Sequence, residues 1–161
     1  MNWMTLFEIQ KELDEKIQRK HNLQRENLIT RKILAFQVEL GELANETRCF
    51  KFWSLKPPST RSVIIEEYVD GLHFLLSLGL EIDSRFESLQ PDERAHDLCD
   101  QFQQVYRLTA HFEMFIDTDH YKKLFAAFLE LGHQLGLTDQ EITGAYLLKN
   151  QVNHERQQQG Y

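Results

Sequence analysis

The 161-residue sequence has few of the residues that interrupt helices or cross-link chains. It contains seven glycines and three prolines, so long stretches of the chain can remain helical. Its two cysteines, Cys49 and Cys99, are too few for a disulfide framework and do not have the spacing of a zinc site. We therefore expect the protein to work in a reducing compartment, the cytoplasm.

The sequence also lacks an excess of basic residues and any long apolar run. A formal net charge of −7 argues against a protein that binds nucleic acid or acidic membranes non-specifically. No apolar stretch approaches the roughly 20 residues that cross a bilayer. The N-terminal MNWMTLFEIQKELDEKI predicts an amphipathic helix and not a signal peptide. We expect one cytoplasmic domain spanning residues 1–161, with no nucleic-acid or membrane partner.

Apolar residues recur at helical spacing along most of the chain, and no segment alternates as a half-buried strand would. The pattern predicts an all-α bundle of about six helices. Pro57 and Pro58 cannot continue a helix, so they indicate a rigid link between the second and third. The polar segment 83–97 is expected to be a surface excursion, and Thr138 to Glu141 form a capping-box pattern. The predicted helices span residues 4–20, 28–49, 61–82, 98–116 and 119–136, with a sixth that begins at 138.

The stretch QVELGELANE, residues 37–46, places three carboxylates on one narrow stripe of a helix, because Glu39, Glu42 and Glu46 stand at i, i+3 and i+7. A helix that is apolar nearly all round is usually buried, and burying like charges is costly without a compensating cation. The stripe therefore faces water through a gap in the core, or it binds cations. The apolar residues that flank it are Ile33, Phe36, Leu40 and Leu43 on one side and Leu34, Ala35 and Val38 on the other.

A second acidic pair, Glu67 and Asp70, stands at i and i+3 on the next predicted helix. A short link between neighbouring helices would let this pair converge with Glu39 and Glu42. Four carboxylates without Cys or His suit Mg²⁺ or Mn²⁺ rather than zinc, and Mg²⁺ completes its shell with water and phosphate oxygens. The constellation thus indicates a phosphorylated substrate, and the alternative for each pair is an ordinary solvated face.

Two histidines allow other interpretations of the acidic residues. A di-iron bundle needs two E-x-x-H motifs, and only Glu130 and His133 fit one, so a chance match is favoured. His73 follows Asp70 by three residues, and at such a position a histidine packed in the core is commoner than a metal ligand.

The motifs and their order resemble the all-α nucleoside triphosphate pyrophosphohydrolases, and specifically the dimeric dUTPases. E-x-x-E (39–42) is followed by K-x-W (51–53) and E-x-x-D (67–70), and the C-terminal YLLKNQVNHERQQQGY resembles that family's closing motif. The N-terminal LFEIQKELDEKI resembles its uracil-reading helix. The resemblance covers residues 6–161 except for the region 83–118, and the two terminal motifs narrow it to dUTPase.

The resemblance implies hydrolysis of dUTP to dUMP and pyrophosphate by a metal-activated water. It implies two or more Mg²⁺ ions per active site, held by Glu39, Glu42, Glu67 and Asp70, and Mn²⁺ could replace them. Either Glu39 or Glu42 would be the general base. It also implies a homodimer, which the apolar stretch 74–80 favours independently, because six helices in one chain leave it few partners.

The resemblance further implies the residues that bind the nucleotide. Gln10 and Asp14 would read the base, although the family pattern has Asn where this chain has Asp14, and an ionised Asp can only accept. Trp53 would pack near the base or deoxyribose, or else be a core or interface residue. The polar C-terminal segment would be a cationic flap over the triphosphate or, alternatively, a frayed helix end. The substrate-binding residues are thus Gln10, Asp14, Lys51, Trp53, Lys149, Asn150, Asn153, Arg156 and Tyr161.

Two alternative functions remain open at this stage. A related pyrophosphohydrolase acting on dCTP or a modified nucleotide would share the metal site and differ in the base pocket. A non-catalytic helical adaptor would carry the same acids as mere surface residues.

Overall fold

The computed structural model describes residues 1–91 and 97–160. Within these residues the chain forms six α-helices and no β-strand, which confirms the predicted all-α fold. The helix bounds agree with the predicted ones to within two residues. The helices are α1 (Trp3–Lys20), α2 (Ile29–Thr47), α3 (Arg61–Glu81), α4 (Leu98–Met114), α5 (Thr118–Gln134) and α6 (Asp139–Gln158).

Helix α3 is the centre of the bundle and packs against α1, α2, α5 and α6. Its sequence is apolar on nearly every face between Tyr68 and Gly79, and all of these residues except Asp70 and Phe74 are buried. The stretch 74–80 therefore finds its partners within a single chain: Leu75, Leu76 and Leu78 are fully buried. The expectation that this stretch lacks partners, and so favours a dimer, was wrong.

Helix α2 buries one of the two apolar stripes that flank its acids. Ile33, Phe36, Leu40 and Leu43 are at most 2% exposed, as their spacing predicted. On the other flank Leu34 is 62% and Val38 50% exposed in the single chain. Helix α2 is therefore half-buried rather than buried all round, and it offers an apolar strip to a partner.

The link between α2 and α3 is an ordered loop. Arg48 ends α2 in the left-handed conformation, with φ of 59°, and its side chain donates to Ser54 Oγ at 2.5 Å and to the Lys56 carbonyl at 3.0 Å. Ser59 donates to both the carboxylate and the carbonyl of Glu46. Glu46, the third acid of the stripe, thus anchors the loop.

Side-chain caps begin the last three helices. Asp97 and Asp117 each accept from a backbone N–H in the first turn of α4 and α5. Thr138 and Glu141 form the predicted capping box at the start of α6. These caps satisfy backbone donors that have no partner within the helix, and they fix where the C-terminal helices start.

In its described part, residues 83–91 and 97, the predicted surface excursion is only partly at the surface. Phe86 is 8% exposed, and its ring packs edge-on against Trp3, Phe7 and Phe125, with ring centroids 5.0–5.9 Å apart. Ser84 is buried as well. Residues 92–96 lie outside the described part of the chain. Within the described part, no helix is both long and apolar enough to cross a membrane.

Candidate active site

Three carboxylates converge where α2 packs against α3. Glu39, Glu67 and Asp70 each present an oxygen within 4.8 Å of the others, and all three side chains are half-buried. Within the described residues this is the only group of three side chains that could share a metal ion, so Glu130 and His133 take no part in such a group. The helical spacing of the two acidic pairs predicted this convergence.

Glu42, the fourth predicted ligand, lies at the edge of this group. Its side chain is exposed and does not belong to the three-carboxylate cluster. It is still close enough for its negative charge to raise the pKa of Glu39 and of Glu67. Glu42 thus adds negative potential at the mouth of the cluster.

The carboxyl groups of the cluster ionise less readily than exposed carboxyl groups do. Burial is the largest cause that raises the pKa of Glu39 to about 7, and the charges of Asp70, Glu42 and Glu67 raise it further. Burial also raises the pKa of Glu67 and of Asp70. Such a group of acids is stabilised by a cation placed among them.

Lys149 of α6 already supplies one positive charge. Its Nζ lies 2.6 Å from Asp70 Oδ2 and 2.8 Å from Glu66 Oε1. The lysine side chain is only 13% exposed, so its charge is poorly screened. One ammonium cannot neutralise Glu39, Glu67, Asp70 and Glu42 together, and the site remains acidic.

A cavity of about 290 Å³ extends from these acids to the helix predicted to read the base. At one end its wall includes Glu39, Asp70 and Lys149, and at the other Gln10 and Asp14. The cavity joins the two sites that the sequence placed far apart. The other residues on its wall are Leu13, Ile17, Gln18, Leu28, Lys32, His73, Phe74, Ser77, Asn153 and Arg156.

Gln10 is buried and its side-chain amide already has partners. Its Nε2 donates to Asp14 Oδ1 at 2.7 Å. Its Oε1 accepts from Tyr146 Oη at 2.8 Å and lies 2.8 Å from His73 Nδ1. Gln10 therefore keeps one N–H for a ligand, fewer than a free amide would offer.

Asp14 is likewise the centre of a network rather than an exposed residue. Ser77 donates to its Oδ2, and Lys32 Nζ lies 3.4 Å from the same oxygen while also contacting Glu81. The charge of the unexpected aspartate is thus paired. Residue spacing did not indicate Lys32, Phe74 or Ser77 as site residues, because contacts between different helices leave no signal in local spacing.

Lys51 and Trp53 lie on the α2–α3 loop, outside the described cavity wall. Trp53 is 65% exposed, with its ring 5.0 Å from that of Phe52 and 6.0 Å from that of Phe50. Lys51 donates to Asn45. In the single chain neither residue faces the cavity, and Trp53 is no core residue.

The C-terminal segment is a supported helix, so the frayed-end interpretation was wrong. α6 continues to Gln158, and Lys16 of α1 donates to the His154 carbonyl at 3.2 Å. Asn153 and Arg156 lie on the cavity wall. Asn150 is buried, and its Nδ2 has no hydrogen-bond partner among the described residues. Tyr161 lies outside the described residues.

One of two comparisons with known proteins identifies the family of the chain. A search of curated proteins gives no significant match. A family model described as dUTPase matches residues 2–161, which is nearly the whole chain. The chain therefore belongs to the all-α, dimeric-type dUTPase family, and it is a hydrolase, a dUTP diphosphatase.

Proposed function

We propose that this protein hydrolyses dUTP to dUMP and pyrophosphate with Mg²⁺ held by Glu39, Glu42, Glu67 and Asp70. The observation that carries the proposal is one cavity whose wall includes Glu39 and Asp70 of the carboxylate cluster and extends to Gln10. A triphosphate carries about four negative charges, so it could not lie beside these acids without intervening cations. A nucleotide triphosphate could therefore occupy this cavity only together with metal ions.

The residues of the cluster fit a hard divalent cation. They offer only oxygen ligands, their oxygens lie within 4.8 Å of one another, and burial opposes their ionisation in the absence of a cation. We propose two or more Mg²⁺ ions, with Mn²⁺ as a possible replacement. When bound, the ions would neutralise the charge of the triphosphate and lower the pKa of a water molecule bound to them.

Side chains of the protein would act as the general base and bind the phosphates and the sugar. Glu39 or Glu42 accepts the proton of the attacking water, and Glu39 is the better placed because it lines the cavity. Lys149 and Arg156 contact phosphate oxygens, Arg156 through its planar fork. Asn150 and Asn153, on the same helix, contact the sugar or phosphate.

The base end would be formed by Gln10 and Asp14. The remaining N–H of Gln10 donates to a uracil carbonyl, and Asp14 holds the amide in place. We propose that Lys51, Trp53 and Tyr161 also contact the nucleotide. For Lys51 and Trp53 this contact comes across a homodimer interface, since both lie outside the cavity wall of their own chain.

Exposed apolar side chains favour the homodimer. Phe52 is 93% and Trp53 65% exposed on an ordered loop, and Leu34 and Val38 form an exposed apolar strip on α2. A second copy of the chain would cover both. Light scattering at micromolar concentration tests this, and a monomeric mass would contradict it. We further propose that residues 1–161 form a single domain and that the enzyme acts in the cytoplasm.

The decisive experiment is a pyrophosphate-release screen with dUTP, dCTP, dTTP, dATP, dGTP and UTP, with Mg²⁺ and with EDTA. We expect release from dUTP that EDTA abolishes. Preference for dCTP would indicate a sister pyrophosphohydrolase, and no release from any nucleotide would indicate an adaptor. Asp70→Asn should remove most of the activity, whereas Glu113→Gln, at an exposed position on α4, should not.

A further inference from the structure

The only two cysteines of the chain line one cavity. Cys49 lies in the turn that follows α2, and Cys99 is the second residue of α4. Both residues are half-buried with free thiols, and both form part of the wall of a cavity of about 300 Å³. Within the described part of the chain, the wall of the carboxylate cavity includes neither cysteine. The pair is therefore separate from the candidate active site.

The packing of α4 against α2 brings the two cysteines together. Tyr106 of α4 donates to the Gln37 carbonyl of α2 at 3.3 Å. Nearer the start of α4, Phe102 is 4% exposed and packs in the core. The start of α4, with Cys99, then shares its cavity with the turn beyond α2 that holds Cys49. The two helices thus run antiparallel, and their packing places residues 49 and 99 at the same end.

The two thiols lie close enough to interact. Burial is the largest cause that raises the pKa of the Cys99 thiol to about 11, and a hydrogen bond with the Cys49 side chain and its charge raise it further. The charges of Asp97 and Asp100 at the start of α4 act in the same direction. Cys99 therefore keeps its proton at neutral pH, so Cys49 is the thiol that an oxidant attacks first.

We propose that Cys49 and Cys99 form a reversible disulfide when the protein is exposed to a peroxide. The Cys49 sulfur attacks one oxygen of hydrogen peroxide, the O–O bond breaks, and a sulfenic acid and one water form. The Cys99 sulfur then attacks the Cys49 sulfur, the S–O bond breaks, and the hydroxyl leaves with the Cys99 proton as a second water. The two sulfurs together lose the two electrons that the peroxide gains.

The cross-link closes the chain around the helix that carries two of the clustered acids. The residues between 49 and 99 include the whole of α3, on which Glu67 and Asp70 lie. Joining the ends of a segment this long lowers the entropy of the unfolded chain, so the oxidised protein resists unfolding more strongly. A dithiol reductant reverses the bond by exchange and is itself oxidised to a disulfide. Such a transient, redox-sensing disulfide is compatible with a reducing compartment.

Mass spectrometry of the full-length protein, with free thiols blocked by N-ethylmaleimide, tests for the bond. After hydrogen peroxide we expect a chain that lacks two hydrogen atoms, takes up no blocking reagent and yields one cross-linked peptide pair containing residues 49 and 99. Dithiothreitol should restore both thiols. Two free thiols after peroxide, sulfinic acids without a cross-link, or a disulfide between two chains would overturn the proposal.

Single substitutions test the order of the two steps. Cys99→Ala keeps Cys49 and removes the thiol that completes the disulfide, so a sulfenic acid should accumulate on Cys49 and be trapped by dimedone. Cys49→Ala should be labelled far more slowly, because burial keeps the remaining Cys99 thiol protonated. Equal labelling of the two variants would overturn the proposed order of attack.

Melting curves measure the effect of the cross-link on stability. Peroxide-treated wild type should melt about 5–15 °C above the reduced protein, and dithiothreitol should reverse the shift. The double variant Cys49→Ala/Cys99→Ala is the control, because it keeps all three methionines and has no thiol. A cross-linked wild type that melts no higher than the reduced protein, or an equal rise in the double variant, would overturn the proposed stabilisation. None of these measurements needs nucleotide hydrolysis, so their outcome is independent of the proposed function.

Discussion

The ammonium of Lys149 lies 2.6 Å from the carboxylate of Asp70, a member of the three-acid cluster. A single side chain on α6 thus compensates part of the charge that α2 and α3 bring together. The same lysine lines the cavity, where its charge suits a phosphate. Under the proposed function, Lys149 would change partners when cations and triphosphate enter the cavity.

Lys149→Met should affect metal binding and catalysis in opposite directions. Without its competing ammonium, Asp70 is left unpaired, so Mg²⁺ should bind the nucleotide-free protein more tightly. Loss of a charge-assisted phosphate contact of roughly 1.5–3 kcal/mol should lower kcat/KM at least tenfold. Titration calorimetry with Mg²⁺ and steady-state kinetics measure the two effects. Lys123→Met, at an exposed position on α5, should change neither, and weaker Mg²⁺ binding by Lys149→Met would contradict the competition.

Glu39→Gln should remove a pH dependence from the metal-free protein. The pKa of Glu39 is raised from 4.5 to about 7 on folding, so between these values the folded state binds more protons than the unfolded state. Stability must then fall as pH rises through this window. In EDTA, the melting temperature of the wild type should therefore fall relative to that of Glu39→Gln between about pH 4.5 and 7. Above that window the variant should melt at a higher temperature.

The same Glu39→Gln protein should lose most of its activity with saturating Mg²⁺, because the substitution removes a proposed metal ligand and candidate base. Glu12→Gln, at an exposed position on α1, serves as the charge-matched control. Parallel melting curves for wild type and Glu39→Gln across the pH range would show that burial of Glu39 does not govern stability. Near-normal turnover by Glu39→Gln would contradict its place in the metal site.

Local sequence rules predicted the helices because each rule acts within a few residues. Apolar periodicity located α1 to α6, and Thr138 with Glu141 marked the start of α6. The end of α2 was predicted two residues late, because the left-handed Arg48 that ends it is held by loop contacts to Ser54 and Lys56. Such contacts depend on the folded loop and give no periodic signal.

Two glycines provide a test of the packing around α3. A Cβ at Gly79 would lie 2.3 Å from Tyr121 Oη, whose hydroxyl donates to the Leu75 carbonyl at 2.9 Å. Gly79→Ala should destabilise the protein by about 1–3 kcal/mol, as overpacking does. Gly144 of α6 has open space around it, so Gly144→Ala should stabilise the protein by about 0.5–1 kcal/mol. Urea unfolding measures both, and equal effects would contradict this packing.

The candidate site was predictable in part, for a related physical reason. Glu39 on α2 belongs to one acidic pair at helical spacing, and Glu67 and Asp70 form another on α3. Acids on consecutive helices converge when the helices pack against each other. Lys32 and Ser77 reach Asp14 from α2 and α3, and only the folded bundle brings these side chains to α1. A hydrogen-bond network of this kind depends on side-chain direction across helices, which residue spacing along one helix does not specify.

Truncation after Val152 should show whether the end of α6 contributes mainly to catalysis or mainly to stability. The truncation removes Asn153 and Arg156 from the cavity wall, so kcat/KM for dUTP should fall at least tenfold. It also removes the contacts of Lys16 with His154 and of His21 with Gln157, which are polar and partly exposed. The apo melting temperature should fall by only a few degrees.

Substitutions of Arg156 show whether the kinetic loss on truncation comes from the missing guanidinium or from the missing end of the helix. Arg156→Ala should reproduce most of the kinetic loss with only a small fall in the melting temperature, because the Arg156 charge also acts favourably on the carboxylates of Glu66 and Asp70. Arg156→Lys should recover only part of the activity, because a point charge cannot replace a planar fork that binds two phosphate oxygens. Arg107→Ala, which removes an exposed arginine of α4, is the control. If truncation lowered activity while Arg156→Ala did not, α6 would act as a strap that holds the bundle, and the phosphate contact would have to come from another residue.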